Sequence, residues 1–185
     1  MKKHTLIMAS ILTLTACQTI PKSTTPPVVH TEKIAFNITG KIGITTHTPD
    51  GKTGGSAFYG WTQEGERFAI NLTGALGIGS TQIRYDGIKA TLATDKAQIE
   101  ADNPNDLLFK ATGWHAPIDK LPYWVMGKPA QGDTDSVFDN NKLTQSKNGD
   151  WLASFDYKST LPSRITMTHT DGHKAIITIN HQATP

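Results

Sequence analysis

The chain contains a single cysteine, Cys17, whose thiol is the side chain of this sequence best suited to covalent chemistry. It closes a short apolar run in the order Leu14, Thr15, Ala16, Cys17. A lone cysteine is most often a buried core thiol. Here it stands between an apolar leader and a polar, proline-containing segment, where there is no core to bury it. This placement favours covalent modification of the thiol.

The residues before Cys17 have the layout of an export leader. Lys2 and Lys3 form a positive start, and residues 6–14 form an apolar stretch that is too short to span a bilayer. The end of this stretch resembles the acylation site of bacterial lipoproteins. We therefore expect residues 1–16 to be removed as a signal peptide and Cys17 to carry acyl chains. One myristoyl-sized chain binds membranes only marginally, at ~10⁴ M⁻¹, whereas several chains anchor a protein stably.

Other patterns that could support catalysis or cofactor binding are weak. The sequence has no Gly-x-Ser-x-Gly or Walker motif, and Gly77-Ile78-Gly79 lacks the third glycine of a dinucleotide-binding loop because Gln82 occupies that place. His169 and His173 would suit a metal on a helix, but residues 170–172 between them predict a hairpin turn. We therefore expect no enzyme, no cofactor and no metal site.

Charge and length limit the remaining classes. The leader holds two of the 18 Lys and Arg residues and none of the 16 acidic residues, so the processed chain has equal numbers of each. Without a basic stripe to neutralise phosphates, we expect no nucleic-acid partner. The sequence predicts a proline-containing tether over residues 17–33 and one domain over residues 34–185, present as a monomer.

Alternation of apolar and polar residues predicts a sheet from residue 34 onward. Dipeptides that favour hairpin turns separate the alternating runs, and with eight or more antiparallel strands the sheet must curl or close. The runs are Phe36-Ile38-Gly40-Ile42-Ile44, Phe68-Ile70-Leu72, Ile83-Tyr85, Trp151-Ala153-Phe155-Tyr157, Ile165-Met167 and Ala175-Ile177-Ile179, and the turns are Asp50-Gly51, Asp86-Gly87, Asn148-Gly149, Asp171-Gly172 and, more weakly, Glu64-Gly65.

Two segments predict short helices. Asn103 is placed as an N-cap before Pro104, with Gly113 as the stop. A second helix is predicted over residues 117–126, ending at Gly127. Its apolar stripe of Leu121, Trp124 and Val125 either packs on the sheet or lines a ligand site, and the sequence leaves both alternatives open.

A glycine-rich turn over residues 72–81 carries Leu76 and Ile78 at its tip. Glycines give the backbone freedom but do not explain apolar side chains at a hairpin tip. Either the loop folds back onto the core, which generic frequencies favour slightly, or Leu76 is offered to something apolar outside the domain.

Several short motifs, taken in their order and spacing, resemble the LolB family of outer-membrane lipoprotein receptors. They are Gly40-Lys41-Ile42-Gly43, Gly55-Ser56-Ala57 with Trp61, Leu72-Thr73-Gly74-Ala75-Leu76-Gly77, Leu121-Pro122-Tyr123-Trp124-Val125-Met126-Gly127-Lys128-Pro129, and the late Trp151 and Tyr157. The resemblance implies a mainly β fold with a few short helices, an unclosed antiparallel β-barrel with a helical lid. It also implies that an apolar interior receives lipoprotein acyl chains from the periplasmic carrier LolA and that the protein inserts its cargo into outer-membrane lipids.

The resemblance assigns cargo insertion to the loop leucine, which is Leu76 here with Ile78 beside it. Ala75 stands where the family often has proline, and residues 19–33 lack the helical period that the family often shows before the first strand. Gln18 after the acylated cysteine is not aspartate, which by the family's sorting logic fits the outer membrane. The resemblance also implies that the protein lies on the periplasmic face of that membrane.

Ten apolar residues are candidates for the acyl cavity, although the sequence does not separate lining residues from core residues. They are Phe36, Ile38, Trp61, Phe68, Ile70 and Leu92 on strands, and Leu107, Leu108, Trp124 and Val125 on helices. The alternative function is that of a structural or small-hydrophobic-ligand-binding outer-membrane lipoprotein without transfer activity.

Overall fold

A computed structural model describes residues 33–74, 79–113 and 115–182. Within these ranges eleven strands form one antiparallel sheet. The strands are β1 Ala35–Thr48, β2 Gly51–Glu64, β3 Arg67–Thr73, β4 Ser80–Tyr85, β5 Ala90–Thr94, β6 Gln98–Ala101, β7 Thr134–Asp139, β8 Lys142–Asn148, β9 Trp151–Tyr157, β10 Pro162–His169 and β11 Lys174–His181. Two helices, α1 Pro104–Thr112 and α2 Leu121–Val125, lie between β6 and β7.

The sheet consists of two antiparallel meanders, which are joined in the middle because the first strand pairs with the last. It runs from β6 back to β1, then from β11 back to β7, so that β1 pairs with β11 from Ile38 opposite His181 to Thr45 opposite Lys174. The two edges, β6 and β7, do not pair with each other. A sheet of this size must curl, and the result is an unclosed antiparallel barrel, which confirms the predicted fold class.

Turn chemistry explains most of the hairpins. Gly51, Gly87, Gly149 and Gly172 have positive φ, as does Gly65 at the weaker fifth site, so all five predicted turns are confirmed. The β7–β8 turn was not predicted, because Asn140 and Asn141 provide its positive φ values of 48° and 62° without a glycine. The sheet has eleven strands, in agreement with the predicted minimum of eight.

Helix α1 begins and ends as the sequence predicts. The Asn103 side chain accepts a hydrogen bond of 2.9 Å from the Asp106 N–H, and Gly113 takes a left-handed conformation at φ 78°. The helix packs on β5 and β6 at one edge of the sheet. It therefore covers the side on which the barrel is open.

Helix α2 is shorter than predicted, and the expectation of a helix from residue 117 was wrong. Pro122 has no N–H to donate to residue 118, so the preceding residues form a turn in which the Lys120 N–H donates to the Pro117 carbonyl. The carboxylate of Asp133 then holds the segment after α2 in place through several hydrogen bonds. Asp133 accepts hydrogen bonds from Trp124 Nε1 at 2.7 Å, Ser146 Oγ at 2.7 Å and Asn148 Nδ2 at 2.9 Å.

The main core lies between α2 and the inner face of the sheet, and a smaller cluster lies under α1. All the described strands share one sheet, and most of their buried side chains share one core. Within the described part of the chain, neither helix has the length and apolar character needed to span a bilayer.

Candidate functional site: an apolar cavity under the open side of the barrel

A cavity of about 650 Å³ lies between the β1–β6 half of the sheet, helix α1 and the inner residues of β10 and β11. This volume falls within the ~300–1,000 Å³ range of pockets that hold small ligands. Apolar side chains form most of its wall. The cavity exists because the sheet is open at β6, where α1 and residues 116–121 bridge the gap without filling the interior.

The wall is built from one cross-strand row of inward side chains. Trp61 pairs with Ile70, Ile70 with Ile83, Ile83 with Leu92 and Leu92 with Ile99, so five neighbouring strands each contribute one residue at the same level. Side chains alternate between the two faces of a strand. The antiparallel register therefore places these five residues on one continuous apolar surface.

An aromatic group closes the end of the barrel that holds the β2–β3 turn. Phe36 contacts Trp61 edge-on at 5.1 Å between ring centroids, Trp61 contacts Phe68 at 6.2 Å, and Phe68 contacts Tyr85 at 6.0 Å. The first two contacts are edge-to-face, a favourable packing geometry for aromatic rings, and the third is tilted at 44°. This end of the barrel is therefore filled rather than hollow.

Two polar groups of the inner wall, those of Tyr59 and Trp61, are already paired within the protein. The Tyr59 hydroxyl donates to the Thr178 carbonyl oxygen at 2.9 Å, and Trp61 Nε1 donates to Gln63 Oε1 at 3.0 Å. Burial raises the pKa of Tyr59 well above its ordinary value, so its hydroxyl stays neutral. The deep wall consequently presents apolar surface without an unsatisfied donor from either residue.

The mouth of the cavity lies at the opposite end from the aromatic group. The exposed lining residues there come from the end of the β3–β4 loop, the β5–β6 turn and the last turn of α1, namely Gly79, Asp95, Lys96, Ala97, Ala111 and Thr112. Gly79 directly follows residues 75–78, which lie outside the described residues together with the predicted insertion residues Leu76 and Ile78. The mouth therefore opens beside the base of that loop.

Four of the ten candidate cavity residues line this cavity: Trp61, Ile70, Leu92 and Leu108. The others lie elsewhere, with Phe36, Ile38, Trp124 and Val125 in the main core, Phe68 packed against that core, and Leu107 in the smaller cluster. Of the helical stripe, Leu121 faces the cavity, whereas Trp124 and Val125 pack on the sheet. Packing on the sheet is thus found for Trp124 and Val125, whereas a ligand-lining role for Leu121 stays a prediction.

Sequence reasoning missed several lining residues, among them Ile83, Ile99, Ile118 and Met167. Ile83 and Met167 were recognised as strand residues, and only the pairing register brings them to the cavity. Cys17 and the tether lie outside the described residues.

The two histidines considered as metal ligands lie at either side of a hairpin turn. His169 and His173 flank the β10–β11 turn, and the His169 N–H donates to the His173 carbonyl at 2.8 Å, which confirms the predicted hairpin. Over residues 33–74, 79–113 and 115–182, no group of three or more His, Cys, Asp or Glu side chains is placed to hold a metal ion.

Fold and cavity together define a half-open β-barrel that encloses an apolar space beneath a helical cover. The family described as "Outer membrane lipoprotein LolB" matches residues 34–181. The chain is similar to proteins named "Outer-membrane lipoprotein LolB" from three bacteria. It is 33% identical to that of Tolumonas auensis over 83% of this chain and 80% of the relative, and 28% identical to that of Francisella tularensis subsp. tularensis over 90% and 88%. The corresponding values for Marinobacter nauticus are 31% identity over 77% and 72%. The chain therefore belongs to the LolB family of outer-membrane lipoproteins.

Proposed function

We propose that this protein accepts lipoproteins from the periplasmic carrier LolA in its apolar cavity and inserts them into the outer membrane. In this proposal residues 1–16 are a signal peptide, residues 17–33 carry the acylated Cys17 and the tether, and residues 34–185 form the lipoprotein-binding domain on the periplasmic face. The role is that of a non-enzymatic receptor. The observation that supports it most is the apolar row from Trp61 to Ile99, on the wall of a cavity that opens beside Gly79.

The energetics of acyl transfer require such a surface. Three acyl chains of about fifteen methylenes each, at ~0.8 kcal/mol per methylene, represent on the order of 30 kcal/mol if exposed to water. Diffusion through water is excluded by a cost of this size. A receptor cavity that replaces the carrier's apolar surface removes most of that cost, so a modest difference in affinity suffices to drive transfer.

The cavity volume favours one qualification of this proposal. A space of about 650 Å³ suits one small apolar ligand rather than three full acyl chains. Transfer therefore requires the open side between β6 and β7 to widen, or part of the acyl chains to remain outside the mouth. The same volume favours the second candidate function, a lipoprotein that binds a small hydrophobic ligand without transferring it.

The decisive experiment follows a labelled lipoprotein from the carrier to liposomes. For the wild-type chain we expect uptake from the carrier and then incorporation into liposomes. A chain that binds a fluorescent fatty acid but takes no cargo from the carrier would support the small-ligand alternative. A chain that binds no fluorescent fatty acid and takes no cargo from the carrier would contradict both candidate functions.

The Leu76→Glu variant tests the insertion step separately. Placing a carboxylate instead of leucine in lipid costs about 3 kcal/mol, so we expect unchanged uptake and at least tenfold slower incorporation into liposomes. Ser80→Glu is the matched control, because Ser80 is exposed at the start of β4 and the substitution adds the same charge near the mouth. Equal delivery by Leu76→Glu and wild type would contradict the role of Leu76, with Ile78 as its neighbour, in insertion.

A soluble form beginning at Gln18 tests the role of the lipid anchor. Because the cavity lies within the described domain, we expect this form to accept cargo as the anchored protein does. Loss of carrier-to-receptor transfer in the soluble form would contradict this assignment.

A further inference from the structure

The only formal charges on the lining of the cavity, among the described residues, belong to one two-residue turn. Asp95 and Lys96 form the β5–β6 turn at the mouth, while the rest of the wall is apolar or carries neutral side chains. Both residues are exposed. These two charges therefore lie at the rim of the opening into the cavity.

The turn is held in a defined geometry. The Thr94 hydroxyl accepts hydrogen bonds from the Lys96 N–H at 3.3 Å and from the Ala97 N–H at 3.1 Å, and the Thr94 N–H donates to the Ala97 carbonyl at 2.9 Å. Asp95 lies directly beside Gly79 at the end of the β3–β4 loop, since a Cβ at Gly79 would lie 3.3 Å from Asp95 Oδ2. Within the described residues neither side chain forms an ion pair. Both charges are thus available to a ligand.

We infer that the Asp95–Lys96 turn is a subsite for the acyl carbonyl groups of the cargo, and that it selects neutral acyl esters and amides over free fatty acids. This inference rests on the proposed function. When acyl chains occupy the cavity, the protein part of a lipoprotein stays outside, so the carbonyl groups that join the two parts lie at the mouth. The Lys96 ammonium donates a hydrogen bond to such a carbonyl oxygen.

Asp95 supplies the selectivity. A neutral carbonyl accepts from Lys96 without meeting a repulsive charge, whereas a fatty-acid carboxylate at the same point is attracted by Lys96 and repelled by Asp95. The paired opposite charges leave the rim without a net charge. Free fatty acids therefore gain little from the subsite.

The test uses the non-acylated chain beginning at residue 18, which contains every described element of the fold. Dissociation constants are measured for 1-monopalmitoylglycerol, for palmitate and for the neutral aromatic probe N-phenyl-1-naphthylamine. For Lys96→Met we expect three- to tenfold weaker binding of monopalmitoylglycerol and unchanged binding of the aromatic probe. For Asp95→Asn we expect three- to tenfold tighter binding of palmitate. Lys147→Met, on exposed β8 surface away from the cavity, is the control and should match wild type.

The outcomes separate this inference from the function on which it rests. If wild type binds all three probes and both variants bind them with wild-type affinity, the subsite is refuted while the cavity remains. If Lys96→Met weakens all three probes equally, the lysine shapes the mouth instead of recognising a carbonyl, and the inference is again refuted. If wild type binds none of the probes, the apolar cavity does not accept ligands and the proposed function fails together with its subsite.

Discussion

The Tyr59 hydroxyl on β2 reaches across β1 to donate a hydrogen bond of 2.9 Å to the carbonyl oxygen of Thr178 on β11. It passes over Gly40, which pairs with Tyr59 in the sheet. Between the same two strands, β1 and β11, the Lys41 N–H donates to the Thr178 hydroxyl at 3.0 Å, and that hydroxyl donates to the Lys41 carbonyl at 3.2 Å. Side-chain bonds thus reinforce the pairing of the first and last strands, on which the whole meander depends.

Removing this bond should weaken the fold without changing the apolar wall. For Tyr59→Phe we expect a loss of about 1–2 kcal/mol in the free energy of unfolding, because the partly buried carbonyl loses its donor while the ring remains. Urea unfolding followed by tryptophan fluorescence measures this loss. Tyr85→Phe is the control, since the Tyr85 hydroxyl has no hydrogen-bond partner among the described residues. Equal stability of the two variants would contradict a role for the Tyr59 bond.

The same tyrosine predicts a loss of stability at alkaline pH. Burial raises the pKa of Tyr59 in the folded state, so above pH ~10 the unfolded chain releases the phenol proton while the folded chain retains it. Stability is therefore full below pH ~10 and falls as the pH rises further. Unfolding free energies measured between pH 8 and pH 11 should fall less steeply in Tyr59→Phe than in wild type. Parallel curves would show that Tyr59 is not the group responsible.

Close packing between β1 and β11 requires a glycine at position 40. A Cβ on Gly40 would overlap the Thr178 carbonyl oxygen and lie 3.0 Å from the Tyr59 ring, whereas a Cβ on Gly43 would meet nothing within 4 Å. We expect Gly40→Ala to cost about 1–3 kcal/mol of stability. Gly43→Ala, on the same strand, should be neutral or slightly stabilising. Thermal unfolding of both variants measures these changes in stability. A Gly40→Ala variant as stable as wild type would contradict the requirement for glycine at this position.

The sequence predicted local features well because their causes are local. Asn103 and Gly113 cap α1 through hydrogen bonds and φ values set within a few residues, and Gly172 forms its turn for the same reason. The cavity lining depends instead on strand register. Phe68 and Ile70 are both apolar residues of β3, but pairing with Tyr85 places the first in the aromatic end and pairing with Ile83 places the second on the cavity wall.

Two adjacent leucines on α1 should respond differently to the same substitution. Leu107 is 2% exposed in the cluster under the helix, whereas Leu108 lines the cavity. We expect Leu107→Ala to cost about 2–4 kcal/mol of stability with little effect on ligand binding. Leu108→Ala should cost less than half as much and should change the affinity for an apolar fluorescent probe. Similar stability losses with equal affinities would show that the two residues have the same environment.

The position of the domain's first residue places a minimum on the tether length. The Gly65 N–H donates to the Ile34 carbonyl at 2.7 Å, so the chain enters the domain at the β2–β3 turn, opposite the mouth. From Ala35 to Ile44, which lines the cavity near its mouth, β1 spans ~30 Å. Residues 18–33 can reach at most ~55 Å, which is enough for the mouth to face the membrane to which, in the proposed function, an acylated Cys17 is anchored.

Deleting residues 20–29 would leave six tether residues and a reach of at most ~21 Å. Because this is shorter than the distance along β1, we expect the deletion to leave cargo uptake intact and to reduce delivery into the anchoring membrane severalfold. A Gly/Ser segment of equal length in place of residues 20–29 should restore delivery, since reach and not sequence is required. Unchanged delivery by the deletion variant would mean that cargo leaves without the mouth approaching the bilayer.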